Sequence, residues 1–156
     1  MANDYKNNKG TTKGGYNRSQ PLNCKNYLRE NFFYDQAQNW VKSGADQPMI
    51  DFTKKVGKQL EDSELSTSQF RNVYGELKRI QMSGYEKHKS DFLLLQPKVA
   101  YAYARAKKDK NKGEGIKLLK EIFDELAKHV SSEKDYTNFV AIFEALIAYH
   151  KAAGGK

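Results

Sequence analysis

One cysteine, three prolines and three histidines are all that 156 residues contain of those types. Cys24 alone cannot make an internal disulfide, and its solitude fits a reducing cytoplasm. His88 lies between Lys87 and Lys89, a poor setting for a metal cation. His129 and His150 stand in separate helical stretches, with no cysteine or acid at metal-ligand spacing. No G-x-x-x-x-G-K loop and no G-x-S-x-G elbow occurs. Glu144 and His150, in FEALIAYH, read as a buried polar contact and a helix end rather than an acid/base pair. The reading is therefore of a protein without catalytic residues, metal or cofactor, and not of an enzyme. No apolar run approaches the length of a membrane span, and the first residues form no hydrophobic signal region. Alternating strand patterns and hairpin turns are also missing, which leaves an all-α fold.

Apolar residues recur instead at helical spacing. Met49, Phe52, Val56 and Leu60 share one face, as do Ile116, Leu119, Ile122, Phe123, Leu126 and Val130. Residues 133–152 are apolar around most of the circumference, so that helix should be the most buried. Residues 23–42 hold Tyr27, Phe32, Phe33, Tyr34 and Trp40. They predict one or two short helices, with the aromatics at 32–40 as candidates for an intersubunit contact. Together these predict a bundle of five or six helices over 21–156, read as a single domain. Residues 1–20 lack Val, Ile, Leu, Phe and Trp and carry Lys6, Lys9, Lys13 and Arg18 against Asp4. Such a segment is expected to be a disordered basic tail.

Acidic residues are few, 19 against 27 lysines and arginines, for a net charge of +8. The imbalance is concentrated. Residues 66–112 hold eleven cations and four acids, which accounts for nearly all of the excess and points to a polyanionic partner. This stretch predicts two helices joined by a turn of about seven residues, short enough to favour antiparallel neighbours. The first opens on a capping box, Ser66 with Gln69, and buries Phe70, Val73, Leu77 and Ile80. Arg71, Gly75, Lys78 and Met82 form a second stripe, with Arg79 beside it. A mid-helix glycine costs about 1 kcal/mol relative to alanine. Gly75 therefore marks close approach, either of a neighbouring helix or of a phosphate chain.

The second helix, LLLQPKVAYAYARAKK, contains Pro97, which should lie in its first turn or kink it. Lys98, Tyr101, Arg105 and Lys108 repeat on one stripe. Cations suit phosphates, and a tyrosine can stack on a base or else cover the core edge. Arg71, Lys78, Arg79, Lys98 and Arg105 are expected to line one groove, with Tyr101 and Lys108 as further RNA-binding candidates. The lysine-rich residues 109–115 should form an exposed loop.

At SQFRNVYGELKRIQ, LLLQPKVAYAYAR and FEALIAYHKAAGGK the chain resembles the small helical subunit of the type III-A CRISPR effector, the Csm complex. The resemblance covers about 23–156 and is strongest at 66–83, 92–106 and 139–156. It implies several copies stacked in a row, beside the backbone subunits that hold the guide RNA and the large subunit. It also implies contact with guide-paired target RNA through the sugar-phosphate backbone. Guide pairing then supplies the sequence information, and the protein needs only cations and shape. Two other readings stay open. A helix-turn-helix DNA binder would want base-reading amides on its second helix, which offers only Gln96. A basic protein–protein adaptor would meet acidic partners instead.

Overall fold

The computed structural model describes residues 21–108 and 113–156. The expected disordered tail, and residues 109–112 of the expected lysine-rich loop, lie outside the described residues. Within them are seven helices and no strand: α1 Cys24–Glu30, α2 Phe33–Ser43, α3 Gln47–Asp62, α4 Thr67–Ser83, α5 Lys89–Lys107, α6 Glu114–Ala127 and α7 Glu133–Ala152. A 3-10 turn, Tyr85–Lys87, lies between α4 and α5. The count exceeds the five or six expected because the aromatic-rich stretch is broken at Phe32. That residue takes left-handed backbone (φ 59°), and its N–H donates to the Arg29 carbonyl at 3.0 Å.

Four of the helices, α1, α3, α4 and α7, begin where a side chain satisfies a free N–H group. The Asp46 carboxylate accepts from the Met49 N–H at 2.9 Å, opening α3, and Pro48 fits the first turn. At α4 the capping box is complete. Ser66 Oγ accepts from the Gln69 N–H at 3.1 Å, and Gln69 Oε1 accepts from the Ser66 N–H at 3.0 Å. Ser132 Oγ accepts from the Asp135 N–H at 3.1 Å and starts α7. Gly84, at φ +98°, stops α4 in backbone that other residues rarely adopt.

One continuous apolar cluster draws on all seven helices. Its axis is α7, which packs against α2, α3 and α4. Phe139, Phe143 and Leu146 are fully enclosed, and Phe139 meets Phe92, Phe123, Tyr136 and Phe143 at ring-centroid distances of 4.9–6.1 Å. The closest helix seam is α3 on α7. There Gly57 lies so near that a Cβ would fall 2.7 Å from Tyr149 Cβ and 2.9 Å from the His150 nitrogen.

Two sets of buried polar contacts tie helices together. The Tyr136 hydroxyl donates to the Leu77 carbonyl at 2.6 Å, joining α7 to α4. The buried Asp135 carboxylate accepts from Lys42 Nζ at 2.6 Å, Ser131 Oγ at 3.0 Å and the Ser131 N–H at 3.1 Å, which anchors α2 to the start of α7. Burial opposes its ionisation, but Lys42 and Ser131 outweigh that and hold its carboxyl below the usual value.

Among the aromatics expected at an intersubunit contact, Phe33 and Trp40 are buried and Tyr34 is half-buried, so core packing claims them. Phe32 alone of the four stays outside, 67% exposed. Pro97 is neither at the start of α5 nor near it. The helix begins eight residues earlier, at Lys89, and Pro97 sits in its exposed interior. No helix among the described residues is long and apolar enough to cross a membrane.

Candidate nucleic-acid interface

The cation-rich hairpin is α4 and α5. Gly84, the 3-10 turn and His88 connect them, five residues rather than the seven or so expected. Between the helices runs an open groove of about 630 Å³. From α4 it is lined by Gln69, Asn72, Val73 and Glu76. From α5 come Leu95, Lys98, Val99, Ala102, Arg105 and Ala106. Its floor is apolar, one wall carries amides and a carboxylate, and the other wall carries two cations.

The seven sequence-derived candidates divide over this surface. Lys98 and Arg105 line the groove. Tyr101 is 66% exposed, so it does not cover the core edge, and the Arg105 guanidinium stands 5.9 Å from its ring centroid. Lys108 is exposed at the end of α5. On α4, Arg79 is held by Glu76, whose Oε2 accepts from its Nε at 3.1 Å and its Nη2 at 3.0 Å. Lys78 donates to Gln81 Oε1 at 2.9 Å, and Arg71 is exposed. Among the described residues no carboxylate lies within ion-pair distance of Arg71, Lys78, Lys98, Arg105 or Lys108.

The expectation of one groove lined by five cations is therefore corrected. Phe70, Val73, Leu77 and Ile80 must face the core, and α5 packs on the flank that bears Asn72, Val73 and Glu76. At 100° per residue, Arg71 and Lys78 then fall on the far flank of α4. Gly75 is settled in one respect: a Cβ there would meet nothing within 4 Å among the described residues, so none of the described helices requires the glycine. Asn72 was not singled out from the sequence, and Gln69 only as the partner of Ser66 in the capping box. Their spacing with Glu76, at i, i+3 and i+7, was the available signal.

The rest of the surface offers little chemistry. Cys24 is buried, and burial pushes its thiol up to about 11, well away from a reactive thiolate. His150 is fully enclosed, with Nε2 donating to the Leu65 carbonyl at 2.6 Å, while Glu144 is exposed. His88 Nδ1 sits 2.8 Å from Asp91 Oδ2, a hydrogen bond that helps hold the Asp91 carboxyl below its usual value. No group of three or more His, Cys, Asp or Glu among the described residues could hold a metal ion.

Fold and surface together define a small, basic, all-helical protein whose α4–α5 hairpin bears several cations with no carboxylate at ion-pair distance among the described residues. A family model described as Csm2 Type III-A matches residues 45–156, taking in α4, α5 and everything after them. The chain belongs to that family, and so is a small structural subunit of the type III-A CRISPR Csm complex, where it works alongside other subunits. No curated protein and no solved structure matches it significantly.

Proposed function

We propose that this subunit is a non-catalytic RNA-binding scaffold that holds guide-paired target RNA by its sugar-phosphate backbone, without reading sequence, in antiviral defence in the cytoplasm. Its neighbours are the backbone and large subunits of the complex and further copies of itself, and residues 21–156 act as one helical domain. The observation that carries the reading is the α5 stripe. Lys98, Arg105 and Lys108 are exposed, free of carboxylate partners among the described residues, and interleaved with an exposed tyrosine. Unpaired cations at that spacing suit phosphates, and a ring with a guanidinium over it is a surface for ribose or base. Arg71, Lys78 and Arg79 add positive charge across the same hairpin.

The test is a salt titration of RNA binding by the full chain, with several unrelated single-stranded sequences and duplex DNA. Affinity for the RNAs should be equal, weak for the isolated subunit, and steeply salt-dependent, with each phosphate contact adding about 0.7 to the log–log slope. Lys98→Ala and Arg105→Ala should each reduce affinity evenly across sequences and lower the slope. A strong preference for one sequence, or tighter binding of duplex DNA, would refute the reading.

A further inference from the structure

The two cation sets leave a question of path. Lys98 and Arg105 face the groove from α5, while Arg71 and Lys78 occupy the far flank of α4, with the crest of α4 between them. Gly75 is on that crest. Helical geometry puts it opposite the buried Phe70–Val73–Leu77–Ile80 face, and it is exposed.

Its surroundings are specific. On a helix the neighbours of a residue are those three and four positions away. For Gly75 these are Arg71, Asn72, Lys78 and Arg79, three cations and an amide around a patch of bare backbone. Glycine is the poorest helix former after proline, so a helix interior does not favour it. Nothing among the described residues explains it. A Cβ at 75 would meet no atom within 4 Å, and the backbone there is not left-handed. The remaining use of a missing side chain is to let something from outside come close, and the flanking charges specify a polyanion.

We infer that an RNA strand crosses the crest of α4 at Gly75, passing from the Arg71 and Lys78 flank over the bare backbone into the groove where Lys98 and Arg105 wait. This rests on the RNA-binding reading above and adds the route to it. The low saddle lets the phosphodiester chain approach more closely than any side chain would allow. It thereby joins two cation sets that the packing of α5 on α4 separates. On this route Asn72 and Arg79 stand at the descent into the groove, and Arg79 can exchange its exposed pairing with Glu76 for a phosphate.

The decisive experiment uses the full chain with Gly75→Ala, Gly75→Leu, Arg71→Ala and Arg105→Ala. Each is measured by thermal melting and by binding to a fluorescent oligouridylate at several salt concentrations. Both Gly75 variants should melt at or above the parent temperature, since the site is open and both residues favour helix. Gly75→Leu should nevertheless bind about tenfold more weakly, the loss of one charge-assisted contact. Its salt slope should fall by about 0.7. Gly75→Ala should shift affinity the same way by less, and Arg71→Ala should weaken binding as Arg105→Ala does. If Arg105→Ala weakens binding while Gly75→Leu and Arg71→Ala bind like the parent, the strand does not cross α4 and this inference is overturned, with the RNA reading intact. If the parent itself binds no RNA at low salt, both fall.

Discussion

Replacing Gly57 by alanine should loosen the seam between α3 and α7. The added methyl would lie 2.7 Å from Tyr149 Cβ, 2.9 Å from the His150 nitrogen and 3.0 Å from the Tyr149 carbonyl carbon. Ordinary carbon contacts are about 3.5–4.0 Å, so the two helices must part by roughly 1 Å. The α7 backbone has little freedom to yield, because His150 is fully enclosed and bonded to Leu65 at 2.6 Å. Overpacking of this kind costs about 1–3 kcal/mol, or more when backbone is the obstacle. Alanine's helix propensity offsets about 1 kcal/mol of that. With backbone as the obstacle the overpacking cost lies at the upper end of its range, and a net loss of about 2 kcal/mol should lower the melting temperature by roughly 4–8 °C for a chain of this size. Gly75→Ala is the internal control. It makes the same chemical change in mid-helix, but into open space, and should raise stability by about 0.5–1 kcal/mol. Thermal or urea unfolding followed by circular dichroism reads both. A Gly57→Ala chain that melts at or above the parent would refute the close packing of α3 on α7.

Other substitutions probe the core, the buried carboxylate and the groove. Phe143→Ala empties a fully enclosed site on the central helix and should cost about 3–5 kcal/mol in urea unfolding. Asp135→Asn should cost about 1–2 kcal/mol at pH 7, discounted because the Lys42 end of the pair is partly exposed. The Asp135 carboxyl is held below its ordinary value in the fold. Its stabilising effect is therefore present above the unfolded carboxyl's pKa and is lost as pH falls through the depressed folded value. Melts of parent and Asp135→Asn should differ at neutral pH and converge in strong acid; a gap that is constant with pH would contradict the linkage. Glu76→Ala removes the groove's carboxylate and frees Arg79, so RNA affinity should rise a few-fold while stability stays within about 0.5 kcal/mol.

Much of the fold was legible because its signals are local. The Ser66–Gln69 capping box, the stop at Gly84 and the apolar spacing of α3, α4 and α6 depend on residues three or four apart, and the structure realises them, except that α6 ends at Ala127 and leaves Val130 beyond the helix. The nearly all-apolar circumference of 133–152 likewise announced a helix that others must surround, and α7 is that helix. Less legible were features in which distant segments compete. Phe33 and Trp40 could have faced a partner, but a core with room for both took them. Spacing left open whether Pro97 lies in the first turn of α5 or inside the helix; Phe92 and Leu95 have core to bury against and carry the helix back to Lys89, which puts Pro97 in its interior.

By itself the sequence determined that the chain is helical, which face of each helix is apolar, and that its excess positive charge is concentrated in 66–112. All three follow from composition and from periodicity along a single helix. Tertiary structure alone decided which flank of α4 receives α5. The apolar stripe is wide enough to seat a neighbour on either side, and that choice put Lys98 and Arg105 in the groove and left Arg71 and Lys78 beyond the crest. It also decided what two mid-helix glycines mean. Gly57 and Gly75 read alike in the sequence, but the α7 backbone lies within 3.0 Å of a Cβ at the first and only open space lies above the second. No spacing rule distinguishes them, because what surrounds a helix is contributed by residues far away in the chain.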